Sequence, residues 1–135
     1  MALETPTADS HRRPIRLVTV DDQPHFHAAA HAIVASTPGF EHVGESADGA
    51  AALRDVSELD PDMVIVDVRM DGMDGMEVAE RLRAQDATRV IVLATTVETG
   101  ELSGLARSCG AAALVRKHWL TPRMLRGLWV AHRRR

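Results

Sequence analysis

Three segments of this chain consist of apolar residues without polar alternation, and they constrain the fold more than any other feature. They lie at residues 63–66, 90–94 and 112–115. A strand with one face in solvent alternates apolar and polar side chains, whereas a strand buried on both faces is continuously apolar. Such strands occur in parallel sheets that are covered by helices on both sides. The sequence therefore predicts an α/β protein.

Two weaker strands and five helices complete the pattern. The weaker strands are predicted at 15–20 and at 42–46, the second at an edge of the sheet. Apolar residues at helical spacing indicate a helix after each strand. Helix boundaries are indicated by Pro24, by Asp48 as an N-cap, by Gly110 as a C-cap and by Thr121 as an N-cap before a proline. A loop rich in glycine, 72–75, precedes the third helix.

Strand and helix alternate five times, which favours a doubly wound five-stranded parallel sheet in the order 2-1-3-4-5. A chain of 135 residues is long enough for one domain with a single core. Residues 1–14 show no periodicity and are predicted to be a disordered leader. The domain is expected to occupy 15–135, with no output domain following it in this sequence.

Composition narrows the class of protein. Hydrophobic residues make up 45% and charged residues 26%, as in ordinary globular domains. No apolar run approaches the roughly 20 residues of a membrane span, and the N-terminus lacks the apolar segment of a secretory signal. The single cysteine, Cys109, forms no internal disulfide and is interpreted as a core residue. We therefore expect a cytoplasmic protein that does not enter a membrane.

Charge is distributed unevenly along the chain. The net charge is −3, yet no acid follows Glu101, and the remaining segment carries eight arginines and lysines. A basic terminus can contact nucleic acid. Because no aromatic residues interleave with these cations and no docking motif accompanies them, we interpret them as a solvated helix end and expect no direct nucleic-acid contact.

Reactive side chains follow four of the predicted strands. Asp21 and Asp22 follow the first strand, Asp67 the third, Thr95 the fourth and Lys117 the fifth. In the predicted strand order, the carboxyl ends of strands one and three flank the switch point where such sheets bind ligands. Three carboxylates close together repel one another, and a hard cation such as Mg²⁺ relieves this repulsion. The sequence therefore predicts a magnesium site.

The same set of residues predicts phosphoryl chemistry. A carboxylate that meets a phosphoryl donor beside Mg²⁺ can form an aspartyl phosphate. The Lys117 ammonium can neutralise one phosphoryl oxygen, and the Thr95 hydroxyl can donate a hydrogen bond to another.

These motifs resemble the receiver domain of two-component response regulators. The matching features are the acid pair Asp21-Asp22, Asp67 within Val66-Asp67-Val68-Arg69-Met70, the loop Gly72-Met73-Asp74-Gly75, Thr95 and Lys117. The resemblance covers about residues 15–132 and implies a flavodoxin-like, CheY-like fold. Residues 43–49 most resemble the NarL/FixJ (LuxR-type) subfamily, whose receivers usually precede a helix-turn-helix DNA-binding domain.

The resemblance implies a role for each residue of the set. Asp67 would accept a phosphoryl group from a sensor histidine kinase, Lys117 would pair with that group, and Thr95 would turn inward to bind it. Asp22 and Asp67 would ligate Mg²⁺ through their side chains. The backbone carbonyl of Arg69 would be the third protein ligand, and Asp21 would act through a metal-bound water.

The family also implies partners. The protein would be a regulatory phosphoacceptor and not an enzyme in its own right, with weak autophosphorylation and autodephosphorylation only. It would regulate transcription through an attached or partner DNA-binding domain. A homodimer would form through the last two helices and the fifth strand, or through the first and fifth helices.

Three positions depart from the family pattern. Asp71 stands where proline is usual, and His118 stands where many members have proline. Leu114 replaces the usual aromatic switch residue, so the coupling between a threonine and an aromatic ring is in question here.

Two other functions are compatible with the acids. A phosphohydrolase with an aspartyl nucleophile would need a second acid near Asp67, but Arg69 stands two residues later. A degenerate receiver could act as an interaction module without phosphorylation. The histidines His25, His27 and His31 are interpreted as an exposed helix face and not as a zinc site, because no cysteine or paired acid completes a ligand set.

Overall fold

The computed structural model describes residues 13–96 and 102–133. The strands are β1 (Ile15–Val20), β2 (Phe40–Ser46), β3 (Met63–Asp67), β4 (Val90–Thr95) and β5 (Ala113–Arg116). The helices are α1 (Pro24–Ala35), α2 (Gly49–Leu59), α3 (Gly75–Gln85), α4 (Leu102–Ser108) and α5 (Pro122–His132). A short 3₁₀ turn, Lys117–Trp119, separates β5 from α5.

The strands form one parallel sheet in the order β2-β1-β3-β4-β5, which confirms the predicted fold class. The register pairs Asp67 with Ala94 and Thr95 with Arg116, so the carboxyl ends of β3, β4 and β5 are aligned. The second strand lies at an edge, as predicted, but begins at Phe40 and not at residue 42.

Two apolar layers cover the sheet. One contains α1 and α5 and packs on the side of β1 that carries Leu17. The other contains α2, α3 and α4 and packs on the side that carries Val18 and Val20. The three apolar runs are buried along β3 and β4 and less completely along the edge strand β5. Continuous apolar sequence therefore corresponds to strands with a helix layer on each face.

Side-chain caps begin three of the helices. Asp48 accepts a hydrogen bond from the Ala51 N–H, and Thr121 accepts one from the Met124 N–H, as predicted for these N-caps. Asp74 also caps α3 through the Glu77 N–H. Gly110, with φ of +89°, follows the end of α4 in the left-handed conformation expected of a C-terminal glycine.

Several local expectations are corrected by the structure. The sequence pattern predicts that the first helix extends to about Thr37, but it ends at Ala35. His27 is buried, with 7% of its surface exposed, and so does not lie on an exposed face. Cys109 is only half-buried at the edge of the α2–α4 layer, so it is not a full core residue.

Two further observations bear on the sequence predictions. Residues 1–12 of the predicted leader lie outside the described residues, and the division into leader and domain stays a prediction. No helix within the described ranges combines the length and the apolar character that a membrane crossing requires.

Candidate functional site

The carboxyl-terminal edge of the sheet brings four of the predicted positions together. Asp21 follows β1, Asp67 is the last residue of β3, Thr95 is the last residue of β4, and Lys117 follows β5. Because all five strands are parallel, these ends lie on the same side of the molecule. Asp22 is the next residue after Asp21 and completes the set.

Three carboxylates meet at this edge. Asp21, Asp22 and Asp67 each present an oxygen, and the three oxygens lie within 4.8 Å of one another. The cluster is graded in exposure: Asp21 is completely buried, Asp67 is almost completely buried and Asp22 is open to solvent. A ligand arriving from solvent therefore meets Asp22 first and Asp67 behind it.

Lys117 is the cation that faces this cluster. Its Nζ lies 2.6 Å from Asp21 Oδ2 and 3.3 Å from Asp67 Oδ1. The ammonium also lies 4.7 Å from the centre of the Phe26 ring, a cation–π arrangement that limits its position on the α1 side. One ammonium thus contacts two buried carboxylates, and the cluster retains excess negative charge.

Asp21 is held in place by the backbone. Its Oδ1 accepts a hydrogen bond of 2.9 Å from the Gln23 N–H. Its Oδ2 is fully buried and accepts no hydrogen bond of good geometry, so the ion pair with Lys117 is its compensation. A carboxylate beside two other acids can also accept a hydrogen bond from a metal-bound water.

The electrostatics of Asp67 follow from this arrangement. Burial raises the pKa of the Asp67 carboxyl above its ordinary value, and the nearby Asp21 raises it further. Lys117 and the Arg69 backbone N–H, which donates to the carboxylate, act in the opposite direction without cancelling the rise. The ionised form of Asp67 is therefore stabilised incompletely by the protein alone.

These residues fit a hard divalent cation. Carboxylate oxygens are the ligands that Mg²⁺ prefers, and the cluster offers three with excess negative charge. Beside it opens a crevice of about 490 Å³. The crevice is lined by Asp22, Gln23, Val68, Arg69, Met70, Asp71, Asp74 and Met76. Asp22 and Arg69, two predicted metal ligands, therefore border the same solvent-accessible space.

Close packing fixes the loop behind Asp67. The Gly75 N–H donates to the Val68 carbonyl at 3.0 Å. A Cβ atom at Gly75 would lie 2.0 Å from the Asp67 carbonyl oxygen, a distance no side chain tolerates. The second glycine of the loop is therefore required because α3 begins against the backbone of the central aspartate.

The predicted switch residues are placed as follows. Thr95 is buried, with 1% of its surface exposed, at the end of β4. Leu114 is half-buried and packs against the α2–α4 layer. The residues directly after β4, 97–101, lie outside the described ranges. Trp119, in the turn that begins with Lys117, is 50% exposed, and the Arg116 guanidinium lies 5.3 Å from its ring centre.

Two contributors to the site were missed in the sequence. Phe26, an apolar residue of α1, faces the Lys117 ammonium. His27 donates from Nε2 to the Asp21 carbonyl at 2.7 Å. Its spacing from Ala30 and Val34, three and seven residues, places it on the buried stripe of α1, and this signal could have identified it.

The sheet order and the acids at its switch point define a doubly wound α/β protein with a phosphoryl- or metal-binding edge. A family model described as the response regulator receiver domain matches residues 17–128. The chain therefore belongs to the response regulator receiver domain family, and its place in two-component signalling follows from that membership. The resemblance inferred from the motifs is confirmed.

Curated relatives extend this result. The chain is 38% identical over 105 residues to protein-glutamate methylesterase/protein-glutamine glutaminase 5 of Myxococcus xanthus, covering 77% of this chain and 30% of that protein. It is 31% identical over 110 residues to the transcriptional regulatory protein LiaR of Bacillus subtilis, covering 74% of this chain and 52% of LiaR. The chain thus spans about a third to a half of these relatives.

Solved structures share the fold. The signal receiver domain of the response regulator NarL from Mycobacterium tuberculosis superimposes with a TM-score of 0.81 at 27% identity, covering 90% of this chain and 98% of that domain. The response regulator domain of Thermotoga maritima CheB gives a TM-score of 0.78 at 24% identity, covering 89% and 97%. The CheY-like receiver fold is thereby established for this chain.

Proposed function

We propose that this domain is a phosphorylation-controlled signalling receiver that accepts a phosphoryl group on Asp67 from a sensor histidine kinase. The observation that carries the proposal is the position of Asp67 among its neighbours. Its carboxylate lies within 4.8 Å of two other acids and 3.3 Å from the Lys117 ammonium, beside an open crevice. This grouping supports both nucleophilic attack by Asp67 and charge stabilisation around it.

The chemistry assigned to the chain's residues is simple. An ionised Asp67 oxygen attacks the donor phosphorus, a new P–O bond forms, and the bond between phosphorus and the donor nitrogen breaks with its electron pair on nitrogen. Lys117 neutralises a phosphoryl oxygen, and the Thr95 hydroxyl donates to another. The burial that raises the pKa of Asp67 also makes its carboxylate a stronger nucleophile once it is deprotonated.

Magnesium is the proposed cofactor. Asp22, Asp67 and the Arg69 carbonyl would hold the ion, and Asp21 would contact it through a water. When bound, Mg²⁺ supplies positive charge that compensates both the clustered acids and the incoming phosphoryl group. The graded exposure of the cluster supports this assignment, because Asp22 lies on the solvent side where a hydrated ion would enter.

Phosphodonor labelling tests the assignment of Asp67. The protein is incubated with acetyl phosphate and Mg²⁺, and intact mass and peptide mapping report the acyl phosphate. Wild type should gain one phosphoryl group, and Asp67→Asn should gain none. The matched control is Asp71→Asn, an exposed acid of the same crevice, which should label normally. Labelling that persists in Asp67→Asn would overturn the assignment, whereas steady phosphate release without an adduct would favour the phosphohydrolase.

The output and the partners are proposed on the relatives. The similarity to NarL and LiaR supports a LuxR-type regulator of transcription, acting through an attached or partner DNA-binding domain. Similarity to methylesterase receivers is compatible with a different output. A cytoplasmic location fits a chain with a single cysteine. Gel-shift and kinase-transfer assays with candidate partners of each class would distinguish the outputs.

Switching is proposed to depend on Thr95 and the loops that follow β4 and β5. Leu114 has no ring to fill space that a moving threonine vacates, so motion at that position should be small. Adding Mg²⁺ and beryllofluoride should change the emission of Trp119, and Thr95→Ala should reduce that change. A full response in Thr95→Ala, together with no response in Lys117→Ala, would assign the signal to the lysine turn alone.

Dimerisation is a separate part of the proposal. The predicted surfaces are α4, β5 and α5, or α1 and α5. Val130 on α5 is 56% exposed, an exposed apolar side chain on an element common to both surfaces. Sedimentation with and without beryllofluoride tests whether phosphorylation drives association. A monomer in both states would remove phosphorylation-driven dimerisation from the proposal.

A further inference from the structure

A chain of polar contacts leads from the acid cluster along α1 to His42 on the edge strand β2. His27 Nε2 lies 2.7 Å from the Asp21 carbonyl oxygen, and His27 Nδ1 lies 2.7 Å from the Thr19 hydroxyl. The same hydroxyl lies 3.0 Å from His42 Nε2. The chain ends where His42 Nδ1 and His31 Nδ1 face each other at 3.2 Å.

The contacts determine which nitrogens carry hydrogen. A carbonyl oxygen only accepts, so His27 Nε2 carries a hydrogen, and Nδ1 of the neutral ring accepts from the Thr19 hydroxyl. That hydroxyl has then used its single hydrogen, so it accepts from His42 Nε2–H. Nδ1 of a neutral His42 is therefore a lone-pair nitrogen, held in orientation by Thr19 and directed at His31.

A break in the strand register follows His42. Leu17 pairs with His42, whereas Val18 pairs with Gly44, so Val43 is left over as a bulge in β2. Thr19 pairs with Glu45, and the bulge thereby brings His42 and Glu45 onto the same face of the sheet. Burial lowers the pKa of His42, with Glu45 opposing that shift, so the imidazole is neutral near pH 7 and able to act as a ligand.

The separation of the two nitrogens matches a metal chelate. In a tetrahedral zinc site with bonds of about 2.0–2.1 Å, two ligand nitrogens are separated by about 3.3 Å. The observed separation of 3.2 Å is close to this value, and the ring centres are 5.3 Å apart with a tilt of 44°. His31 is exposed on α1, so its ring can turn to direct its lone pair at an ion.

We propose that His31 Nδ1 and His42 Nδ1 form a binding site for a borderline divalent cation of the Zn²⁺ class, with waters completing the coordination. A metal would replace the single hydrogen that the two nitrogens now share. The Thr19 hydroxyl serves as the outer partner that orients a metal-binding histidine, the role usually taken by a carboxylate or a carbonyl. The site is separate from the acid cluster, whose oxygen ligands favour a hard ion.

Metal titration tests this proposal. The untagged full chain is titrated with Zn²⁺ by calorimetry and with Co²⁺ by visible absorption, in excess Mg²⁺ that keeps the acid cluster occupied. Wild type should bind one ion. His31→Gln removes an exposed ligand and should weaken binding by more than about tenfold. His25→Gln changes an exposed histidine of the same helix and should bind like wild type.

Two further variants keep the test decisive. Thr19→Val removes the orienting hydroxyl at similar volume and should weaken binding by about tenfold. Phosphodonor labelling of Asp67 in His31→Gln provides an independent check that the variant is folded. Wild-type affinity in both His31→Gln and His42→Gln would overturn the proposal. Loss of Zn²⁺ binding in Asp22→Asn with full binding in His31→Gln would likewise overturn it, because the ion would then occupy the acid cluster.

Discussion

At the amino-terminal edge of the sheet the acids pair with arginines, whereas at the carboxyl-terminal edge three clustered acids face one lysine, which contacts two of them. Asp62 accepts hydrogen bonds from the Arg16 N–H at 2.9 Å and from Arg13. Asp60 accepts from the buried Arg89, whose Nε also donates to the Pro61 carbonyl. The opposite edge leaves Asp67 with a raised pKa.

The acids at the two edges of the sheet differ in what they contribute to the stability of the fold. A compensated carboxylate contributes to the folded state, and an under-compensated one costs free energy until a ligand arrives. The first arrangement requires nothing from outside the chain. The second indicates a site that a cation or a phosphoryl group completes, and this is the edge where the proposed phosphorylation occurs.

The largest loss of stability is expected from a steric clash behind Asp67 and not from a change of charge. Gly75→Ala places a Cβ against the Asp67 carbonyl and should lower the free energy of unfolding by about 3 kcal/mol. Urea unfolding measures it. Gly127→Ala is the control, since nothing lies within 4 Å of its Cβ position in α5, and it should stabilise by about 1 kcal/mol. Equal effects at both positions would show that the loop behind Asp67 relaxes readily.

The amino-terminal edge should lose stability when its cation is removed. Arg89→Met retains an apolar stem but leaves the Pro61 carbonyl and Asp60 without their partner, and it should cost about 2 kcal/mol. Arg81→Met is the control, because Arg81 belongs to an exposed pair with Glu77 and should change stability little. If the free energy of unfolding of Arg89→Met equalled that of wild type, the ion pair at this edge would not stabilise the fold.

The carboxyl-terminal edge should respond in the opposite direction. Asp67→Asn removes a charge that burial and Asp21 disfavour, so the Mg²⁺-free variant should be more stable at pH 7 by on the order of 1 kcal/mol. Because the folded pKa is raised, wild type regains this stability as the pH falls through that pKa, and the difference should shrink. Added Mg²⁺ should stabilise wild type and not the variant. A less stable Mg²⁺-free variant would contradict the crowded-carboxylate interpretation.

The smallest effect is expected at Asp86, whose pKa is lowered, whereas the pKa of Asp67 is raised. Hydrogen bonds from the Thr88 hydroxyl and N–H lower the pKa of Asp86, and Arg89 contributes less. Stability from this group is present above its unfolded pKa and is lost as the pH falls through the folded one. Asp86→Asn should cost a few tenths of a kcal/mol at pH 7, since solvent screens the exposed carboxylate. The difference should vanish in acid, and a cost that grew instead would refute the assigned direction.

Sequence alone determined the architecture, because strands that are buried on both faces, such as β3 and β4, are continuously apolar in sequence. The alternation of strands and helices then fixed the sheet, and the parallel sheet brought Asp21, Asp67 and Lys117 to one edge. Caps at Asp48 and Thr121 were predictable because they depend on neighbouring residues only. Local rules and the family motifs therefore reached as far as which residues lie together at this edge, and the roles of those residues stay predictions.

Tertiary structure alone decided how the site is charged and supported. The rise in the pKa of Asp67 depends on its depth and on Asp21, which is far away in sequence. The path from Asp21 through His27 and Thr19 to His42 depends on the packing of α1 against two neighbouring strands. A bulge reverses the face of the residues beyond it, so alternation along β2 does not reveal that Glu45 shares a face with His42.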